Sequence, residues 1–130
     1  MQTPGDSQPS VPRPLGPYSP AVQAGPFIYL SGQTPVDPAT GRLLEGTVAQ
    51  QTVRVLQNLD AVLQGVGASW SAVVKTTVFL RDMADFAEMN GAYAEYLGET
   101  RPARSTVAVA GLPLDARVEI EAVAYLPPVS

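Results

Sequence analysis

Arg104 and Glu119 carry most of the chemistry this sequence can offer. Arg104 stands in Arg101-Pro102-Ala103-Arg104-Ser105-Thr106-Val107-Ala108-Val109, and Glu119 in Val118-Glu119-Ile120-Glu121-Ala122-Val123-Ala124-Tyr125. Both segments are β-patterned, and a Gly/Pro/Asp turn at Gly111-Leu112-Pro113-Leu114-Asp115 separates them. The paired N–H donors of an arginine fork match the two oxygens of a carboxylate. A carboxylate nearby can orient a water or move a proton. The pair therefore suggests a small-molecule site for an organic acid.

The sequence has few other tools. It contains no histidine and no cysteine, which removes Ser-His-Asp and Cys-His nucleophiles, the usual zinc ligand sets, thiol redox chemistry and disulfides. Acid–base work falls to Glu, Asp, Tyr, the single lysine Lys75 or bound water. The acidic residues are scattered and lack the ligand spacing of a calcium loop, so no metal and no cofactor is expected. Twelve acidic against eight basic residues give a net charge of −4, and without a basic run nucleic-acid binding is not expected. No stretch reaches the roughly 18 apolar residues of a membrane span. The start Met1-Gln2-Thr3-Pro4-Gly5-Asp6-Ser7 lacks the charged and apolar regions of a secretory signal, so a cytoplasmic location is expected.

The 130 residues, 45% of them hydrophobic, suit one domain with its own core. Residues 1–16 are rich in Pro, Ser, Gly and Gln and read as a disordered or loosely docked tail, leaving 17–128 as the domain. Pro9 and Pro12 give one P-x-x-P spacing, a pattern common by chance. Phe27 to Gly32 reads as a strand entered from a Gly25-Pro26 turn. Thr47 can cap a helix to about Gln64, whose apolar positions Val48, Val55, Leu56, Leu59, Val62, Leu63 and Val66 recur at helical spacing, with Gly65 and Gly67 to stop it. Val73 to Leu80 is a β-branched strand. Asp82 or Asp85 can cap a second helix through Leu97, with Phe86, Met89, Tyr93, Tyr96 and Leu97 on one side and Gly98 at its end.

The resulting order is strand pair, helix, strand, helix, strand pair, an α+β or mixed layer. Two helices cover one face of such a sheet, yet the strands carry apolar residues on both parities. The second face then needs a cover, and a second copy of the chain is the simplest. Arg104 and Glu119 would share a face only if the 103–110 and 117–126 strands paired in odd register. Glu119 and Glu121 share one parity and, taken alone, resemble a solvated strand face; Lys75 reads as a solvated strand residue.

Six segments in order resemble the RidA/YjgF family of enamine/imine deaminases: Gly16-Pro17-Tyr18-Ser19, Ser31-Gly32-Gln33-Thr34-Pro35, Val74 to Leu80, Phe86 to Asn90, Pro102 to Val107, and Val118 to Ala122. They span about residues 16 to 126. The resemblance implies a chorismate-mutase-like α+β fold, a mixed sheet with two helices on one face, assembled as a homotrimer with a site in each cleft between subunits. It implies that Arg104 binds the substrate carboxylate and that Glu119 places the attacking water. It further implies that Tyr18, Ser31, Gly32 and Asn90 line the pocket and that Thr106 offers its backbone to the substrate. The implied reaction hydrolyses 2-imino acids, such as 2-iminopropanoate and 2-iminobutanoate, to 2-keto acids and ammonia. Thr106 replaces a common cysteine, Pro20 a frequent glutamine, and Ala108 a frequent glutamate, while Gly111 stands where some members carry a larger residue. These departures bear on substrate choice. The alternative is a non-catalytic module that binds a 2-keto acid, which shares Arg104 but needs no Glu119. Ribonuclease activity, attributed to some members, fits poorly with a net charge of −4 and no histidine.

Overall fold

Thr47 starts the first helix with a capping box. Its side chain accepts from the Gln50 backbone N–H while the Gln50 side chain accepts from the Thr47 N–H. The computed structural model, which describes residues 11–127, carries this helix, α1, over Val48–Gly65. Gly67 takes the left-handed conformation after it (φ 79°), whereas Gly65 is still helical. Val66 becomes the C-cap and is exposed, so it leaves the expected apolar stripe. The other six expected positions, Val48 to Leu63, are buried.

The strands are β1 (Ala21–Ala24), β2 (Phe27–Gln33), β3 (Val36–Asp37), β4 (Arg42–Leu43), β5 (Val73–Leu80), β6 (Ala103–Ala108) and β7 (Val118–Tyr125). A second helix, α2, spans Phe86–Leu97. Asp82 caps the short turn before it by accepting from the Ala84 N–H, and Gly98 (φ 61°) ends it. The main sheet has the order β1-β2-β7-β5-β6, antiparallel except where β6 runs parallel to β5. β3 and β4 form a separate small hairpin.

One expectation about pairing is overturned. The 103–110 and 117–126 segments do not pair with each other, because β5 lies between them, and the first of them is a strand only over Ala103–Ala108. A β5-α2-β6 crossover is right for a parallel pair, which needs a dozen or more connecting residues. Both helices pack on one face, where Ile28, Leu30, Val78, Leu80, Ile120, Ala122 and Ala124 meet Leu56, Leu59, Leu63, Met89 and Tyr93. The opposite face shows Phe27, Tyr29, Val107 and Tyr125, all exposed among the described residues.

The first ten residues, including Pro9, lie outside the described residues. Pro12 is buried and lines a surface pocket with Leu15 and Val36.

Candidate active site

Register decides where the two chemical residues go. Arg104 sits beside Thr76, and Thr76 beside Ala122, all pointing to the helix face. Glu119 sits beside Phe79, three residues from Thr76 along β5, and therefore points to the other face. Within one chain the arginine and the glutamate leave opposite sides of the sheet.

On the helix side, the Arg104 guanidinium lies over two aromatic rings, 4.8 Å from the Tyr93 centroid and 5.7 Å from that of Phe86. These cation–π contacts hold a flexible side chain in place without neutralising it. Tyr93 is fixed in turn by a 2.7 Å hydrogen bond between its hydroxyl and Thr76 Oγ1, both buried. No carboxylate pairs with Arg104 among the described residues. Its donors face an open cleft of about 390 Å³ that Asn90, Arg101 and Pro102 also line. Thr106 points to the same face of β6 as Arg104, and its hydroxyl oxygen is buried without a hydrogen-bond partner. The cleft thus gathers Arg104 and Asn90, and it adds two residues that sequence reasoning missed, Tyr93 as a support and Arg101 as a second cation. Tyr93 had a signal, since it lies three residues from Asn90 on α2.

On the other side, Glu119 is half-buried. Burial first, and the neighbouring charge of Glu121 second, raise its carboxyl above the ordinary glutamate value. A bulge in β2 brings the backbone against it: the pairing with β7 steps from Leu30–Ala122 to Gln33–Ile120, so Ser31 and Gly32 are squeezed against one residue of β7. A Cβ at Gly32 would overlap the Glu119 carboxylate oxygen. Ser31 is engaged in holding the preceding segment. Its hydroxyl donates to the Ser19 carbonyl at 2.7 Å and its N–H donates to the Pro20 carbonyl at 2.9 Å. Tyr18, exposed, follows from that tether and lines a small depression with Gly32. Glu119, Gly32, Ser31 and Tyr18 thus form a second group, separate from the Arg104 cleft.

This geometry makes Gly32 a sharp probe. Gly32→Ala should displace the Glu119 carboxylate while costing little stability, because the obstructing atom is the end of a flexible side chain. Misplacing a reacting group by about 1 Å can cost about 10²-fold, so any reaction that uses Glu119 is expected to slow by that order with the melting temperature nearly unchanged. Kinetics and a thermal melt of the same preparation check both halves.

Residues 8–126 match the family model described as Endoribonuclease L-PSP, the RidA/YjgF family. A RutC family protein of Pyrococcus horikoshii is 51% identical over 116 residues, covering 89% of this chain and 92% of the relative. A mouse protein named 2-iminobutanoate/2-iminopropanoate deaminase is 45% identical over 117 residues, covering 90% and 87%. The crystal structure of the YjgF gene product from E. coli superposes with a TM-score of 0.84 at 42% identity, covering 89% of this chain and 93% of that one. The chain belongs to the RidA/YjgF family, and its α+β mixed sheet is the fold of that family.

Proposed function

We propose that this protein is an enamine/imine deaminase that hydrolyses 2-imino acids to 2-keto acids and ammonia. The observation that carries the reading is Arg104: an arginine stacked on two aromatics, without a carboxylate partner among the described residues, at an open cleft. The family supports a RidA-type function, and the name of the mouse relative supports the substrate class.

The reaction asks for little equipment. Arg104 grips the substrate carboxylate, a charge-assisted contact worth about 1.5–3 kcal/mol. The C=N carbon is already electrophilic, so a covalent nucleophile is unnecessary. Glu119 accepts a proton from water as its oxygen adds to that carbon. Glu119 hands that proton to the imine nitrogen, and the hydroxyl of the resulting carbinolamine then gives its own proton to the amine as C=O forms, the C–N bond breaks and ammonia leaves the keto acid. Tyr18, Ser31, Gly32, Asn90 and the Thr106 backbone shape the pocket around these steps. Since Arg104 and Glu119 leave opposite faces of one sheet, a working site takes Arg104 from one copy and Glu119 from another. The exposed aromatics on the Glu119 face suit that contact, and a homotrimer closes it as a ring. The domain of this assembly is 17–128, with 1–16 as an appended tail, working in the cytoplasm. Among the described residues no helix is long and apolar enough to cross a membrane.

The test is an imine-hydrolysis assay with the imine released in situ by an amino-acid oxidase. Acceleration supports the enzyme. Binding of pyruvate or 2-ketobutyrate without acceleration would replace it with a metabolite-binding module.

A pH profile checks the role of Glu119. As a base it must be ionised, so turnover falls as pH drops through its raised pKa, and the acid limb should lie above the usual glutamate value of about 4.3. Glu121→Gln removes the like charge and should move that limb to lower pH; an unmoved limb would assign it to another group. The sign for stability is opposite to that of a salt-bridged acid. A raised folded-state pKa favours folding most below the unfolded value and loses that contribution as pH rises through the folded one.

A further inference from the structure

The Arg104 cleft holds a second guanidinium that the reaction above does not use. Arg101 lines the same cleft, although it lies three residues from Arg104. Strict strand alternation would send the two to opposite faces. However, β6 begins at Ala103, so Arg101 and Pro102 stand before the regular strand and are free of its parity. The only hydrogen bond from the Arg101 side chain among the described residues goes from Nη1 to the Thr100 carbonyl at 2.9 Å, leaving most of its fork unused. Neither arginine meets a carboxylate within 4.0 Å there. Among Asn90, Tyr93, Ala94, Arg101, Pro102 and Arg104, one chain supplies the cleft with two positive charges and no acid, and the proposed assembly adds only the Glu119 of another copy. In a chain with a net charge of −4 this is a local excess of cation.

We propose that Arg101 is a specificity residue that selects 2-imino acids bearing a second carboxylate. Arg104 holds the carboxylate beside the imine, and Arg101 receives the one at the end of the side chain. Three residues put the two Cα atoms at most roughly 10 Å apart, a span that two arginine side chains can close onto a four- or five-carbon diacid. A monocarboxylate leaves one guanidinium unmatched, while a dianion matches both, and charge complementarity of this kind sets preference among partners. The enzyme would then follow a reaction that oxidises an acidic amino acid to its imine. The inference rests on the imine-hydrolysis reading for its reaction, but its charge preference can be measured apart from turnover.

The test compares 2-iminoglutarate with 2-iminopropanoate, both released in situ, in wild type, Arg101→Gln, Arg101→Glu and Arg101→Lys. Arg101 is exposed, so all four should fold, which a thermal melt verifies. The ratio of kcat/KM for the diacid over the monoacid is expected to fall about five-fold in Arg101→Gln, the scale of a partly solvated charge contact. It should fall further in Arg101→Glu and be largely kept in Arg101→Lys. An unchanged ratio in Arg101→Gln and Arg101→Glu overturns the proposal. If neither imine is hydrolysed, the reaction is wrong, and calorimetry with 2-oxoglutarate and pyruvate on the same proteins decides the preference alone. A diacid preference lost in Arg101→Gln then supports it; equal affinities, or no binding of either acid, overturn it.

Discussion

Arg104→Ala is expected to abolish measurable imine hydrolysis, lowering kcat/KM by about 10³-fold. Losing the charge-assisted contact removes about 1.5–3 kcal/mol, or roughly 10- to 10²-fold. On the proposed mechanism the remainder comes from lost orientation, since the carboxylate grip would set the imine carbon against the water. Arg104→Lys should lose most of the activity too. An ammonium is a point charge that cannot present two parallel donors, and it stacks less well on the Tyr93 and Phe86 rings. Arg104 has no ion-pair partner among the described residues, so the fold should tolerate the change. Steady-state kinetics beside a thermal melt will separate the two effects. Near wild-type turnover in Arg104→Ala would remove the carboxylate grip from the mechanism.

The second large effect is a rescue. Glu119→Gln should lower kcat by about 10²- to 10⁴-fold, the usual contribution of a positioned proton acceptor, while keto-acid binding through Arg104 persists. Mixing that variant with Arg104→Ala, after dissociation and reassembly, should restore activity. In a trimeric ring each site would take its arginine from one copy and its glutamate from the next, so random mixing rebuilds about one site in four. Two inactive proteins would yield about a quarter of the wild-type rate. If each chain held a complete site, mixing would restore nothing, and the opposite-face placement of the two residues would need another explanation.

Most elements were legible because their signals are local. The Thr47–Gln50 box set the start of α1, and the β-branched run Val73 to Leu80 is the strand β5 in full. The placement of β5 between β6 and β7 was not legible, since strand order is settled by long-range packing and no residue within 103–126 encodes it. That single insertion decides the site: the faces of Arg104 and Glu119 are fixed through β5, not by direct pairing. The bulge at Ser31-Gly32 was also hidden, because a register step depends on the partner strand. A third gap lies in α1, where Gln51, Thr52 and Asn58 are buried. Asn58 Nδ2 donates to the carbonyls of Thr34 (3.1 Å) and Val36 (2.9 Å), and Gln51 Nε2 to that of Leu44, tying the β3–β4 hairpin to the helix. Their spacing with Val55 and Val62 was a usable signal, since 51, 55, 58 and 62 form one helical stripe.

The position of β6 at the margin of the sheet has a cost besides its benefit. Among the described residues it pairs only with β5, so its outer N–H and C=O groups are left available, which is what a strand must offer if a ligand is to bind main chain. The same groups can recruit a stray strand, the usual origin of edge-to-edge aggregation. β6 is six residues long, carries the charge of Arg104, and follows Pro102, which has no N–H to lend. Those features also make it a poor template for amyloid-like growth, so on the proposed function catalytic access and colloidal safety would share one short stretch of chain.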